Sequence, residues 1–256
     1  MAPVRYERQG AAAVLTIDRP ERRNAVDGAT AELLKSGYEE FVADDSARVL
    51  ILTGAGGVAF CAGADLKAIE TLSTRIEDPA GPLGFSRLTS PKPTIAAIAG
   101  WCLAGGLELA LWCDLRIATL ESRLGFPERR WGVPLIDGGT QRLPRIVGLG
   151  RALDLILSGR IIGAGEALEW GMLTELSLDP LARALELAEA LSAFPQDTML
   201  ADRHGAIEGL GLALADGLEL EARTGIPTVL TGVQGAVRFA AGEGRGGAGV
   251  APPRGL

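Results

Sequence analysis

Residues 94–114 read TIAAIAGWCLAGGLELALWCD. The first seven, Thr94 to Gly100, form a short apolar run of the kind buried on both faces of a parallel sheet. Gly105 and Gly106 then open a helix directly after a strand. The first turn of a helix carries unpaired N–H groups and the positive end of its dipole. Such a turn suits an oxygen that develops negative charge. Glu108 follows three residues on, so it projects from the same face. It is flanked by Leu107, Leu109 and Leu111. A carboxylate in so apolar a helix is costly to bury without a partner or a task. It either caps the helix start, pairs with an arginine, or takes part in chemistry.

The same strand-to-helix order extends towards the N-terminus. VRYERQG and AAAVLTIDR predict two strands around a tight turn at Gly10. In DGATAELLKSGYEEFVAD, Leu33, Leu34, Tyr38, Phe41 and Val42 recur at helical spacing, with Asp27 as the cap. RVLILTG predicts another buried strand. The Gly-rich GAGGVAFCAGAD predicts a loop that leads into a helical stretch near Asp65. Thr71 to Pro93 holds Pro and Gly without clear periodicity and predicts a mobile loop with a short helix. After the central helix, DLRIAT and SRLGFPE complete the strand pattern. Repetition of this order implies an α/β core of parallel strands with crossover helices. From about Gly150 the chain becomes helical. The tail, AAGEGRGGAGVAPPRGL, is expected to fray. No internal repeat is visible in the sequence.

Composition narrows the function. The chain has 256 residues, 47% of them apolar, enough for one large core or two modest domains. A net charge of −7 opposes nucleic-acid binding, which calls for a basic face. No apolar run is long enough to span a bilayer. Cys61, Cys102 and Cys113 form no CxxC pair, and an odd count suits a reducing compartment. The expected location is the cytoplasm. His204 is the single histidine. A Ser-His or Cys-His enzyme would have to use it, and no His/Cys cluster exists for zinc. Acid–base work therefore falls to carboxylates, Lys or Tyr. His204 lies in a polar helical stretch and reads as a surface or packing residue.

Other nucleotide-binding and nucleophile motifs are incomplete. TGAGG after RVLIL lacks a full GxGxxG. Tyr6 and Tyr38 are followed four residues on by Gly10 and Val42, not by the lysine a short-chain dehydrogenase needs. There is no Gly-Lys-Ser/Thr and no GxSxG. The turn Phe60 to Leu66 holds small residues that let a ligand approach the backbone, whose N–H groups then meet an oxygen. An ordinary strand-to-helix loop reads the same way. Glu128, in Gly125-Phe126-Pro127-Glu128, is equally at home at a helix start. Cys61 and Cys102 read as core thiols, and Trp101 and Trp131 as core rather than substrate wall.

Taken together, RNAV (Arg23 to Val26), FCAGADLK (Phe60 to Lys67), AGGLELALWCDLRIA (Ala104 to Ala118), FPERRWGVP (Phe126 to Pro134) and GGTQRLPRIVG (Gly138 to Gly148) resemble the enoyl-CoA hydratase/isomerase (crotonase) family. The resemblance runs from about Val4 to Arg245. No one motif decides it; five in order and spacing are specific. It implies a spiral of repeated β-β-α units over residues 1–195, carrying the CoA and catalytic sites. Residues 196–256 would form a C-terminal helical region used in trimerisation, with trimers stacking as hexamers. The backbone N–H groups of Ala64 and Gly105 would form the oxyanion hole, and Glu108 and Glu128 would be the catalytic pair. Ala62 to Lys67 and the loop around Arg22 to Ala25 would hold CoA. The implied contacts are Arg22, Ala25, Ala62, Asp65, Leu66, Lys67, Gly106 and Pro127. Asp65 would cap the helix after its loop while its backbone lines the CoA site; Arg22, Arg23 and Lys67 suit phosphates or plain solvated surface. No metal or other cofactor is implied, because coenzyme A enters as part of the substrate.

Those roles suit hydration of a trans-2-enoyl-CoA. Two carboxyls near one water can divide the work of taking a proton from it and giving one to C2. Alternatives are an enoyl-CoA or dienoyl-CoA isomerase of the same family, and a non-catalytic acyl-CoA-binding scaffold. Asp137 is a departure, since hydratases of this family usually have a small residue there. The expectation is that Asp137 caps the next helix. As an accessory third carboxyl it would instead move a proton along the acyl chain, and related dienoyl-CoA isomerases have an acid one residue away. The Gly-rich tail offers no lysine for a CoA phosphate.

Overall fold

The computed structural model describes residues 2–242. They fall into two compact units, one ending at Glu186 and one beginning at Leu187. In the first unit, strands occur in pairs, each pair followed by helix. β1 (Val4–Gln9) and β2 (Ala12–Ile17) precede α1 (Gly28–Ala43). β3 (Val49–Gly54) and β4 (Ala59–Cys61) precede a 3-10 turn at Leu66–Ala68 and α2 (Glu70–Ser73). β5 (Thr94–Ile98) and β6 (Trp101–Leu103) precede α3 (Gly105–Trp112). β7 (Leu115–Ala118) and β8 (Arg123–Gly125) precede a 3-10 turn at Pro127–Trp131 and then α4 (Gly139–Val147) and α5 (Leu149–Ser158). β9 (Ile161–Gly163), α6 (Ala164–Glu169) and β10 (Glu175–Leu176) follow, and α7 (Pro180–Ser192) begins in the first unit. The repeat absent from the sequence is thus present in the topology.

From β3 to β8 the members of each pair go to different sheets, whereas β1 and β2 stay together as a hairpin. One sheet has the order β1-β2-β3-β5-β7-β10, parallel except for the β1–β2 hairpin. The other is β4-β6-β8-β9, in which β4, β6 and β8 run parallel. The apolar runs foreseen as buried strands are β3 and β5, and every residue of β5 is buried. The hairpin turns at Gly10, whose φ of 58° is the left-handed conformation glycine adopts freely. Asp27 caps α1 by accepting the Thr30 N–H at 2.9 Å. Leu34, Tyr38 and Phe41 face the core, while Leu33 of the same predicted stripe is exposed.

Three expectations require correction. β4 lies inside the segment read as a Gly-rich loop; three residues are too few to show a period of two. β9 and β10 interrupt the region read as helical for the same reason. The segment from Thr71 to Pro93 is irregular but packed. Phe85 is fully buried between Tyr38 and Trp112, with ring centroids 5.3 and 4.5 Å away. The Trp112 indole N–H donates to the Leu88 carbonyl at 2.6 Å.

The second unit holds the end of α7, α8 (Gln196–Glu208), α9 (Leu214–Gly225), a 3-10 turn at Ile226–Thr228 and α10 (Val229–Ala240). His204 is exposed on α8. The tail expected to fray lies almost wholly outside the described residues. No helix among those described is long and apolar enough to cross a membrane.

Candidate active site

The small sheet explains how distant parts of the sequence meet. β4, β6 and β8 are adjacent and parallel, so their C-terminal ends lie side by side. Ala62 to Asp65 leave the end of β4, Ala104 to Glu108 the end of β6, and Phe126 to Glu128 the end of β8. Ligands of α/β folds characteristically bind beyond such ends. A cavity of about 430 Å³ opens there, lined by Ala62, Ala64, Leu66, Gly105, Glu108, Pro127, Glu128 and Asp137 among others. Its remaining wall is mostly apolar and includes Ile69, Leu72, Ile76, Leu83, Trp131, Val133 and Ile136. Trp131 is therefore wall rather than core, and is 65% exposed.

Glu108 is buried in the first turn of α3. It neither caps that helix nor pairs with arginine. Its Oε1 accepts the Gly139 N–H at 2.7 Å and the Asp137 N–H at 3.0 Å. Gly139 is needed for this approach: a Cβ there would stand 3.0 Å from Glu108 Cγ and Oε1 and from Phe126 Cζ. Glu128 is also buried, yet neither of its oxygens has a hydrogen-bond partner among the described residues. A buried carboxyl without partners is a costly arrangement kept for function, not for stability. Burial pushes the Glu128 carboxyl up to about 7. Burial, with Asp137 alongside, pushes that of Glu108 up to about 8, against the pull of the two amides. Around neutral pH the two carboxyls thus retain about one proton or more between them, and they titrate together.

Two residues of the cavity wall, Ala64 and Gly105, have main-chain N–H groups with no main-chain acceptor among the described residues. Gly105 is the first residue of α3, and Ala104 before it, at φ 52°, offers no side-chain cap. Its N–H has no intrahelical acceptor. Ala64 pairs with Val26 in an isolated bridge that uses the Gly63 carbonyl and the Asp65 N–H, both at 2.8 Å, and so bypasses the Ala64 N–H. The turns carrying them are in contact, because a Cβ on Gly63 would lie 3.0 Å from the Gly105 nitrogen.

The residues suggested for CoA divide. Ala62, Leu66 and Pro127 line the cavity. Arg22 and Lys67 are exposed and do not line it. Gly106 is packed under the site, where a Cβ would strike the Cys61 carbonyl. The segments around Ala25 and Ala62 are joined directly, through Ala62 N–H to the Arg23 carbonyl at 3.1 Å. Asp65 does cap the following 3-10 turn, accepting the Lys67 N–H at 3.1 Å, and it pairs with Arg19 at 3.2 Å. Arg19 also pairs with Asp27 at 2.7 Å and donates to the Ala25 carbonyl. This tie escaped the sequence reading, since nothing local links position 19 to position 65. Cys61 and Cys102 are core thiols, fully buried.

Asp137 requires correction. It does not cap α4, whose N-cap is Gly138 with no side-chain bond. Its Oδ1 instead accepts the Leu83 N–H at 3.1 Å and the Ser86 hydroxyl.

The Enoyl-CoA hydratase/isomerase family model matches residues 7–223. The chain belongs to the enoyl-CoA hydratase/isomerase family. It is 37% identical over 196 residues to enoyl-CoA hydratase EchA19 of Mycobacterium tuberculosis, covering 73% of each chain. It is 41% identical over 174 residues to the short-chain-enoyl-CoA hydratase of Clostridium acetobutylicum, covering 66% of this chain and 67% of the other. Among solved structures, enoyl-CoA hydratase EchA1 from Mycobacterium marinum superposes with a TM-score of 0.88 at 34% identity, covering 94% of this chain and 96% of that one. The crotonase fold and the membership of a hydro-lyase family therefore stand.

Proposed function

We propose that this family member hydrates trans-2-enoyl-CoA thioesters, with Glu108 and Glu128 as the reacting pair and the Ala64 and Gly105 amides as the oxyanion hole. The observation that carries the reading is the meeting of two buried carboxyls and two unengaged main-chain N–H groups at the ends of three adjacent strands. The thioester oxygen accepts from both amides, which draws electrons from C3. Water attacks C3, and negative charge moves through the enolate to that oxygen. Each well-placed donor lowers such a barrier by about 3 kcal/mol.

The donors divide the proton work. Oε1 of Glu108 is held by two N–H groups, so it stays an unprotonated acceptor, and the free Oε2 takes the proton from water. Glu108 holds a proton more tightly than Glu128, at about 8 against about 7. The reacting form is therefore the minor arrangement of the singly protonated pair, with the proton on the unpartnered Glu128, from which C2 receives it. The O–H bond of water breaks, C3–O and C2–H bonds form, and the proton now on Glu108 returns to Glu128 by exchange with solvent. Loss of crotonyl-CoA absorbance tests the reading. Glu128→Gln lowers turnover by about 10²–10⁴; unchanged turnover removes Glu128 from the mechanism.

A second reading is double-bond isomerisation, favoured by the third carboxyl, Asp137, on the cavity wall. Reaction in heavy-oxygen water separates the two, because only hydration places label in product. A scaffold without catalysis has no use for a buried, unpartnered Glu128. We also place the enzyme in the cytoplasm, in acyl-CoA breakdown such as β-oxidation, as a homotrimer or dimer of trimers. Support for assembly comes from α10, where Val229, Leu230, Val233 and Val237 are exposed at helical spacing.

A further inference from the structure

We propose that Asp137 is a positioning residue for Glu108, holding the reacting carboxyl and the Leu83 wall in one arrangement and placing a negative charge beside that carboxyl. This rests on the hydration reading above. Asp137 is buried, and three of its groups point to three different places. Its carboxylate takes the Leu83 N–H and the Ser86 hydroxyl from the segment that walls the cavity. Its own N–H holds Glu108 Oε1 at 3.0 Å. Its carbonyl accepts from Arg142 Nη1 at 2.9 Å, while Arg142 Nη2 reaches the Ser86 carbonyl at 2.6 Å. Leu83, so tethered, presses on the helix start, where a Cβ on Gly105 would lie 2.5 Å from Leu83 Cδ1. One residue thereby links the acyl wall beside Gly105, through its side chain, to the catalytic carboxyl, through its main-chain N–H.

The charge matters as much as the tether. Glu108 faces two acids, Asp137 and Glu128, and one base, Arg142. Asp137 faces Glu108, Arg87 and Arg142; burial raises its carboxyl above the ordinary aspartate range, against the pull of the Ser86 and Leu83 hydrogen bonds and the two arginines. Arg142 directs its guanidinium to carbonyls, and Arg87 donates to the carbonyls of Ile136, Ile76 and Asp78, so neither cancels the Asp137 carboxylate by direct contact. The Asp137 charge opposes ionisation of Glu108, adding to the larger effect of burial.

Asp137→Asn tests this, because the amide oxygen still accepts from Leu83 and Ser86 while the charge is gone. With crotonyl-CoA as substrate, the kcat/KM profile of the variant moves acidward by about one pH unit, and kcat falls less than a hundredfold. A profile that overlays the wild type once normalised overturns the proposal. So does a loss at every pH as deep as that of Glu108→Gln, which makes Asp137 a proton carrier. Should the variant melt at assay temperature, 13C-carboxyl NMR of aspartate-labelled wild-type chain decides instead. Asp137 is expected to be ionised throughout the interval in which Glu108 titrates; a protonated Asp137 across that interval refutes the idea. A wild type that turns over no enoyl-CoA defeats the hydration reading, and the NMR titration still reports on Asp137.

Discussion

Glu108 and Glu128 sit where protein interiors normally exclude carboxyls, and the consequence is measurable in stability. Both groups have folded-state values raised above the ordinary glutamate range. A raised acid contributes its full stability below the unfolded value near 4.5, and that stability is lost as pH rises through the folded values of about 7 and 8. Denaturant midpoints are therefore expected to fall between pH 5.5 and 8.5. Glu108→Gln, which keeps an acceptor for the Asp137 and Gly139 amides, flattens that fall by on the order of a few kcal/mol. Asp27, lowered despite its burial by Thr30 and Arg19, acts only below this window. A midpoint equally pH-dependent in wild type and variant contradicts the burial argument. The same variant lowers crotonyl-CoA turnover by about 10²–10⁴, so the substitution trades activity for stability at alkaline pH.

At the scale of elements, glycines set the site. Gly106 lets α3 lie on β4, and a methyl group there meets the Cys61 carbonyl, which cannot swing aside. Gly106→Ala is expected to cost about 1–3 kcal/mol, read from chemical denaturation. Gly139→Ala meets Glu108 and Phe126 at 3.0 Å, a gap that a few tenths of an ångström relieve. It is expected to fold with little loss and to lower kcat at least tenfold, by moving Oε1 of Glu108. Equal loss of stability in both contradicts this division. The elements were unevenly legible. β3, β5 and α3 announce themselves because burial on all sides leaves long apolar runs. β4, β9 and β10 have two or three residues each, too short for any periodicity, and form because neighbouring strands complete their ladders. Likewise Glu108 was readable from its apolar surroundings, whereas the role of Asp137 depends on Leu83 and Ser86, more than fifty residues away in sequence.

For the whole molecule, the β-β-α order sends β3 to β8 alternately to two sheets, so one small sheet gathers three loop ends around one cavity. The second unit leaves an apolar stripe on α10 exposed. Sedimentation equilibrium is expected to give three or six chains, and Val233→Asp to reduce that mass; a monomeric wild type contradicts the assembly. The proposed chemistry depends on where a thioester lies. A crystal structure with a non-reactive acyl-CoA analogue tests this most directly. The thioester oxygen is predicted to lie about 2.7–3.1 Å from both the Ala64 and Gly105 nitrogens, with C2 and C3 between Glu108 and Glu128. A thioester oxygen in contact with neither amide, or an acyl chain that leaves the two carboxyls on one side and out of reach, would contradict it.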